Sequence, residues 1–264
     1  LFVFVCLAAI ITVGILLALV GYILYKGIPH LNWSLFAWEY TSENVSMMPA
    51  IINTILMTAL SLLIAVPLGV GSAIYLVEYA RRGNKLVSVI RITAETLSGI
   101  PSIVYGLFGY LLFVIACKFG YSLLGGALTL CIMILPLIMR TTEEALYAVP
   151  DAYREGSFGL GAGRLRTVFQ IVLPSAMPGI LAGIILSVGR IVGETAALIF
   201  TAGTVAGVPD NLLSPGRTLS VHMYALWNEG LNTDPAYATG VVLLGIVILI
   251  NMLSGLLAKK VSAR

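Results

Sequence analysis

Residues 189–203 read GRIVGETAALIFTAG, and the two charged groups in that stretch, Arg190 and Glu194, interrupt a run that is otherwise apolar. A guanidinium offers a planar fork of donors that matches the oxygens of an oxyanion. A carboxylate beside it can accept a hydrogen bond from an anion that still carries a proton, and repels one that carries none. Side chains four residues apart share a helical face, and Thr195 next to them adds a hydroxyl. With a helix start near Ala176, Arg190 lies about 14 residues in, or about 21 Å along the axis. Charges at that depth cost about 2.5 to 3.5 kcal/mol each on insertion scales, so both are expected to face protein or a water-filled path. Two roles fit: an ion pair that locks two helices together, or a selective point on an anion pathway.

The elements that must hold these residues are membrane helices. Of 264 residues, 59% are hydrophobic and 10% charged, and the mean hydropathy of +1.01 lies outside the range of soluble globular domains. Apolar runs predict an all-α polytopic membrane protein with about six transmembrane helices, over 1–25, 50–77, 97–117, 121–139, 176–200 and 237–258. Glycines and prolines within the second and third runs (Pro67, Gly69, Gly71, Gly99, Pro101) point to kinks or close helix contacts.

Basic residues set the topology. Arg81, Arg82, Lys85 and Arg91 occupy the second connection, Arg140, Arg154, Arg164 and Arg166 the fourth, and Lys259, Lys260 and Arg264 the C-terminus. The remaining connections hold one each, Lys26, Lys118 and Arg217, which puts both termini in the cytoplasm. The two larger outer connections, 26–49 and 201–236, carry Trp33, Trp38 and Trp227 and are suited to an extracytoplasmic partner.

Some chemistry is set aside. Cys6, Cys117 and Cys131 show no CxxC spacing and no histidine nearby, so they read as small buried packing residues, and no metal site is expected. His30 and His222 read as ordinary residues of polar connections. Neither a serine–histidine pair nor HExxH suggests an intramembrane enzyme. An ion-coupled carrier with Glu194 as its proton site is a second class, although no internal repeat supports one. The chain opens at Leu1 inside an apolar run too long for a signal-peptide core, so a polar segment is expected to precede it.

The fourth connection, EEALYAVPDAYREGSFGLGAGRLRTVFQIVLPSAMPGI, predicts a helix from Pro150 stopped by Gly159, Gly161 and Gly163, then a short helix from about Arg164 ending before Pro174. Such a unit has too little apolar surface to be a domain, but suits a groove on another protein. It contains GLGAGRLRT, which lacks the GxxxxGK[ST] pattern of a phosphate-binding loop.

This stretch resembles the EAA loop of ABC-importer permeases in Glu155, Gly156, Ser157, Gly161, Ile171, Leu173 and Pro174, with Gly156-Ser157 standing where Ala-Ala is usual. Two weak helix formers there should loosen the turn. The resemblance runs from about Ile52 to Lys260, and GIPSIVYGLFG (99–109) together with 189–203 is similar to the permeases of phosphate importers.

That resemblance implies the type I ABC-importer permease fold, in a multi-pass protein of the bacterial inner membrane. It divides the chain into a first transmembrane helix and outer loop (1–49), a permease core (50–260) with its coupling loop at 140–175, and a cytoplasmic tail (261–264). The EAA loop would dock in a cleft of a cytoplasmic ATPase, so this chain would be no enzyme and bind no cofactor, ATP and Mg belonging to that subunit. A second homologous permease, two ATPase subunits, an extracytoplasmic phosphate-binding protein and membrane lipid are the implied partners, with no nucleic acid. Inorganic phosphate is the implied substrate; phosphonate, molybdate or sulfate are alternatives. Arg190, Glu194 and Thr195 would line its path. Ser102 and Tyr105 would either join them or simply shape a tight helix entry.

Overall fold

A computed structural model of the protein describes residues 2–262 except Arg82 and Leu231. Backbone amides that leave water for hydrocarbon must find partners within their own segment, which turns long apolar runs into helices. In chain order these are α1 (Phe2–Gly27), α2 (Met48–Ile74), α3 (Lys85–Ser98), α4 (Ser102–Gly109), α5 (Leu123–Tyr147), α6 (Asp151–Gly159), α7 (Arg164–Thr167), α8 (Leu173–Val192), α9 (Ala196–Thr201), α10 (Leu219–Glu229) and α11 (Thr233–Ser262). Wider π turns extend α2 through Tyr75–Tyr79 and α4 through Tyr110–Ala116, and another, Val168–Val172, joins α7 to α8.

Among the described residues five helical stretches are long and apolar enough to cross a membrane: Phe2–His30, Met48–Tyr79, Leu123–Tyr147, Arg164–Val192 and Thr233–Met252. Counted as one passage, α3 and α4, bent by 105° between them, bring the number to six. An even number of passages leaves both ends on one side, and the cationic connections make that side cytoplasmic. Of the expected tail, residues 263 and 264 lie outside the described residues, as do Leu1, Arg82 and the side chains of Lys259 and Lys260.

Two of the expected spans differ. The third does not start at 97, because Leu97 and Ser98 end a separate helix, α3, which the sequence reading left as a connection. The Asn84 side chain caps α3 by accepting from the Leu86 N–H at 3.0 Å. Arg91 ties it to α5 through Glu143 at 3.0 Å. Nor is the fifth span one helix over 176–200. It runs unbroken from the cytoplasmic Arg164, through Pro174, to Val192, and then stops. Pro174 ends nothing because it follows the π segment, whose widened turn relieves the clash between a proline ring and the preceding turn's carbonyl.

The core forms where α5 packs between α2 and α8, around Met57, Leu130, Ile134 and Ile138. Small residues permit this approach: a Cβ on Gly126 would come within 2.9 Å of the Met57 side chain. Helix α1 stands apart, touching α11 where the rings of Tyr22 and Tyr237 meet edge to face at 5.9 Å. Cys131 is buried as expected, but Cys6 is half-buried and Cys117 exposed, near the outer end of the α4 passage where no core covers it.

Candidate translocation site

Helix α8 ends because Gly193 follows Val192 and the next carboxylate competes for the backbone. Glu194 Oε1 accepts the Ala197 N–H at 3.0 Å, satisfying a free donor of the α9 first turn. The Glu194 carbonyl accepts the Ser220 hydroxyl from α10 at 2.6 Å. Glu194 is thereby 8% exposed and held in the junction between three helices.

This corrects the expectation of a shared helical face. Arg190 lies in the last helical turn of α8, whereas Glu194 lies beyond the helix end, so the four-residue spacing no longer aligns them. Among the described residues no ion pair joins the two, and Arg190, half-buried, has no side-chain hydrogen bond. The helical run starts at Arg164 rather than near Ala176, and α8 runs against α5 with Gly179 at Ala145 and Gly183 at Thr141. Arg190, about 10 Å further along, comes level with the middle of α5.

Tyr105 of α4 packs in the same buried cluster as Ile191, the residue after Arg190. Tyr105 is buried, and its hydroxyl donates to the Leu97 carbonyl at 2.7 Å across the bend between α3 and α4. It therefore both shapes that bend and packs against the end of α8. Ser102, half-buried at the start of α4, and Thr195, half-buried with its hydroxyl 3.5 Å from the Gly193 carbonyl, carry no stronger side-chain contact.

On the cytoplasmic side α6 and α7 form the expected helix, turn and helix. Gly161 makes the turn at φ +82, a left-handed conformation that favours glycine. Ser157 is buried, and its hydroxyl meets that of Thr167 at 2.8 Å, pinning α6 to α7. Glu155, Gly156 and Pro174 are exposed, and Ile171 and Leu173 half-buried. Around them Tyr153, Phe158, Leu160 (91% exposed), Leu165 and Phe169 present apolar surface outward. A groove of about 1060 Å³, lined in part by Arg81, Lys85 and Arg164, opens between this unit and α3.

Beside the apolar packing of Val168 and Val172 against Leu76 and Leu146, Arg154 ties the unit to the core, a residue that the sequence presents only as a cytoplasmic cation. Its guanidinium donates to Glu78 Oε1 at 2.7 Å and to the carbonyls of Val149 and Leu146 at 2.8 and 2.9 Å. Asp151 adds a further contact at 3.2 Å. Glu78, the only acid in the second span's final turn, was the available signal.

On the outer side two residues expected in polar connections are buried instead. Arg217 is 4% exposed and His222, on α10, 1% exposed. The connection folds inward here: the Arg217 N–H bonds to the Val205 carbonyl, and the Leu219 N–H to Thr54 Oγ1 of α2 at 2.9 Å. Burial and the neighbouring Arg217 charge push the His222 pKa down to about 3, so the ring is neutral. His30 stays at the surface, 3.4 Å from Asp234.

A bundle of six passages with a cytoplasmic helix pair set against its core defines a class, and the sequence agrees with it. Residues 65–264 match the family of binding-protein-dependent transport system inner membrane components, and this chain belongs to that family. It is a multi-pass bacterial inner-membrane permease subunit of an ABC importer, with ATP hydrolysis in a separate subunit. Among its relatives, a probable ABC transporter permease, YqgI of Bacillus subtilis, is 36% identical over 97% of this chain and 95% of its own length. The phosphate transport system permease protein PstA 2 of Mycobacterium bovis is 35% identical over 94% of this chain and 82% of its own. The inward-facing MetNI methionine ABC transporter superposes with a TM-score of 0.64 at 21% identity, covering 81% of this chain and 93% of the other, and shares the fold.

Proposed function

We propose that this chain is the permease subunit of an ATP-driven importer of inorganic phosphate. One observation carries the reading: Arg190, at mid-depth in the bundle, has no ion-pair partner among the described residues and is only half-buried. An arginine kept in the membrane without a counter-ion is a site for an anion. Similarity to a PstA protein supports phosphate over other oxyanions.

The residues divide the work. Arg190 attracts the anion, and Tyr105, Ser102 and Thr195 are assigned to the same path. Glu194 keeps one carboxylate oxygen for the Ala197 N–H, and its other oxygen is available to accept the proton that phosphate retains near neutral pH. Sulfate, without that proton, is repelled. The exposed apolar surface of α6 and α7, with Glu155 to Pro174, docks in an ATPase subunit. A second, homologous permease completes the path, two ATPase subunits carry ATP and Mg, and an extracytoplasmic phosphate-binding protein delivers the substrate. This chain itself binds no cofactor.

Phosphate uptake by cells carrying Arg190→Gln, and separately Glu194→Gln, tests this, with assembly checked for each. Loss of uptake in assembled Arg190→Gln complexes, and new inhibition by sulfate in Glu194→Gln, are the expected results. Normal uptake in both would return the two residues to helix packing and leave the substrate open.

A further inference from the structure

The outer cluster around Arg217 has no role in the path described so far. Arg217 has no carboxylate within ion-pair distance among the described residues, and its Nε and Nη2 are buried without a hydrogen-bond partner. Its one compensating contact is the Tyr40 ring, 4.7 Å from the guanidinium carbon. A cation–π contact returns less than the desolvation of a lone cation costs. Two further groups beside it are also unmatched. Neither ring nitrogen of His222 has a well-formed partner, the Val45 backbone being the nearest group, and Asn53 Oδ1 on α2 has none. The Asn53 orientation is set by its amide nitrogen, which donates to the Gly207 and Arg217 carbonyls at 3.0 and 3.1 Å.

We propose that Arg217, His222 and Asn53 form a buried oxyanion site on the outer side of Arg190, closed by Tyr40, where the substrate stops before it reaches the α8–α9 junction. The donors and acceptors left over fit such a guest. The guanidinium supplies N–H groups to the oxygens, the imidazole can turn its one N–H from the Val45 backbone to them, and Asn53 Oδ1 accepts the proton of an oxyanion that retains one. The site therefore favours a monoprotonated or diprotonated oxyanion over sulfate by the same logic as Glu194, with a different acceptor.

Position supports an entry role. Tyr40 comes from the outer segment between α1 and α2 and lies over the guanidinium while meeting His222 edge to face at 6.1 Å. A shift of that ring is the opening that the proposed site requires. Inward, Thr218 bonds to Ser220 at 3.1 Å, and Ser220 bonds to the Glu194 carbonyl, so the cluster adjoins the junction that also holds Arg190. The inference rests on the phosphate-path reading for its substrate, but its residues are separate from those of that path.

The test uses the assembled importer in nanodiscs and phenylglyoxal, which modifies accessible arginines, read by mass spectrometry of the peptide holding Arg217. Tyr40→Ala should make Arg217 reactive, and inorganic phosphate should then slow its modification about tenfold, with sulfate slowing it less than about twofold. No protection, or equal protection by both anions, overturns the proposal. In proteoliposomes, assembled Arg217→Gln complexes should take up phosphate about tenfold more slowly, with partial recovery in Arg217→Lys, whose ammonium keeps the charge but loses the fork. Uptake within about twofold of wild type in Arg217→Gln also overturns it. Should Arg217→Gln fail to assemble, the Tyr40→Ala protection result decides alone. Arg190→Gln keeps the two readings apart: normal uptake there defeats the phosphate path, whereas normal uptake confined to Arg217→Gln defeats only this site.

Discussion

Arg154 and Arg217 are both largely buried in this chain, one at the cytoplasmic end and one at the outer end, and their surroundings are opposite. Arg154 is enclosed by acceptors from its own chain: Glu78, Asp151 and two carbonyls. Arg217 meets an aromatic face and keeps two buried nitrogens without a hydrogen-bond partner among the described residues. A guanidinium whose fork is filled by the fold holds elements together. One whose fork is left open keeps its binding capacity for something that arrives later. Residue type alone carries neither role.

Removing one partner should separate the two most sharply. Arg154→Ala leaves the Glu78 carboxylate buried and uncompensated, which should cost about 3 to 5 kcal/mol, seen as loss of thermal stability and of the assembled complex. Arg217→Gln strands no carboxylate and should change stability by less than about 1 kcal/mol in the same assay. Equal losses at the two sites would break the comparison.

Replacing both members of the cytoplasmic pair sharpens it further. The double variant Arg154→Gln, Glu78→Gln should lose less than the sum of its single variants, by about 1 to 3 kcal/mol in a double-mutant cycle. Additivity would mean that the pair is not coupled.

The outer end should answer to acid. His222 is neutral in the fold with its pKa lowered to about 3, while the unfolded chain binds a proton near 6.5. Its contribution to stability is therefore present above about pH 6.5 and is lost as pH falls toward 3, at no more than about 1.4 kcal/mol per pH unit. Unfolding measured from pH 7 to pH 4.5 in wild type and His222→Gln should show a shallower slope in the variant; parallel slopes would place the acid response elsewhere.

The smallest effect belongs to the turn between α6 and α7. Gly161→Ala places a Cβ at φ +82, costing about 1 kcal/mol and lowering binding-protein-stimulated ATPase in the importer more than it lowers yield. An unchanged ATPase would show that the turn's shape does not matter for coupling.

Most of the spans and the helix–turn–helix of the fourth connection were legible because both are written in local pattern: apolar length for the spans, and Pro150 and the glycines from Gly159 to Gly163 for the turn. What sequence could not show was set by contacts between distant segments. Glu194 caps α9 only because Gly193 lets α8 stop, and Pro174 stays helical only because a π turn precedes it. Arg217 looked like a loop cation until α2 and α10 closed around it. The helix Lys85–Ser98 had a readable start in Asn84, but its 105° turn into α4 depends on Gly99, Pro101 and the Tyr105 hydrogen bond.

The unbroken run from Arg164 to Val192 also has mechanical meaning. Its closest approach to the core is where Gly179 and Gly183 press on Ala145 and Thr141 of α5, partway along its length. That contact is a fulcrum. At about 1.5 Å per residue, Thr167 lies about 20 Å from it on the cytoplasmic arm and Arg190 about 13 Å from it on the membrane arm. Rocking of the cytoplasmic arm about that contact would therefore reach Arg190 reversed in direction and reduced by about a third. A coarse stroke outside the membrane would become a finer one at the level of Arg190.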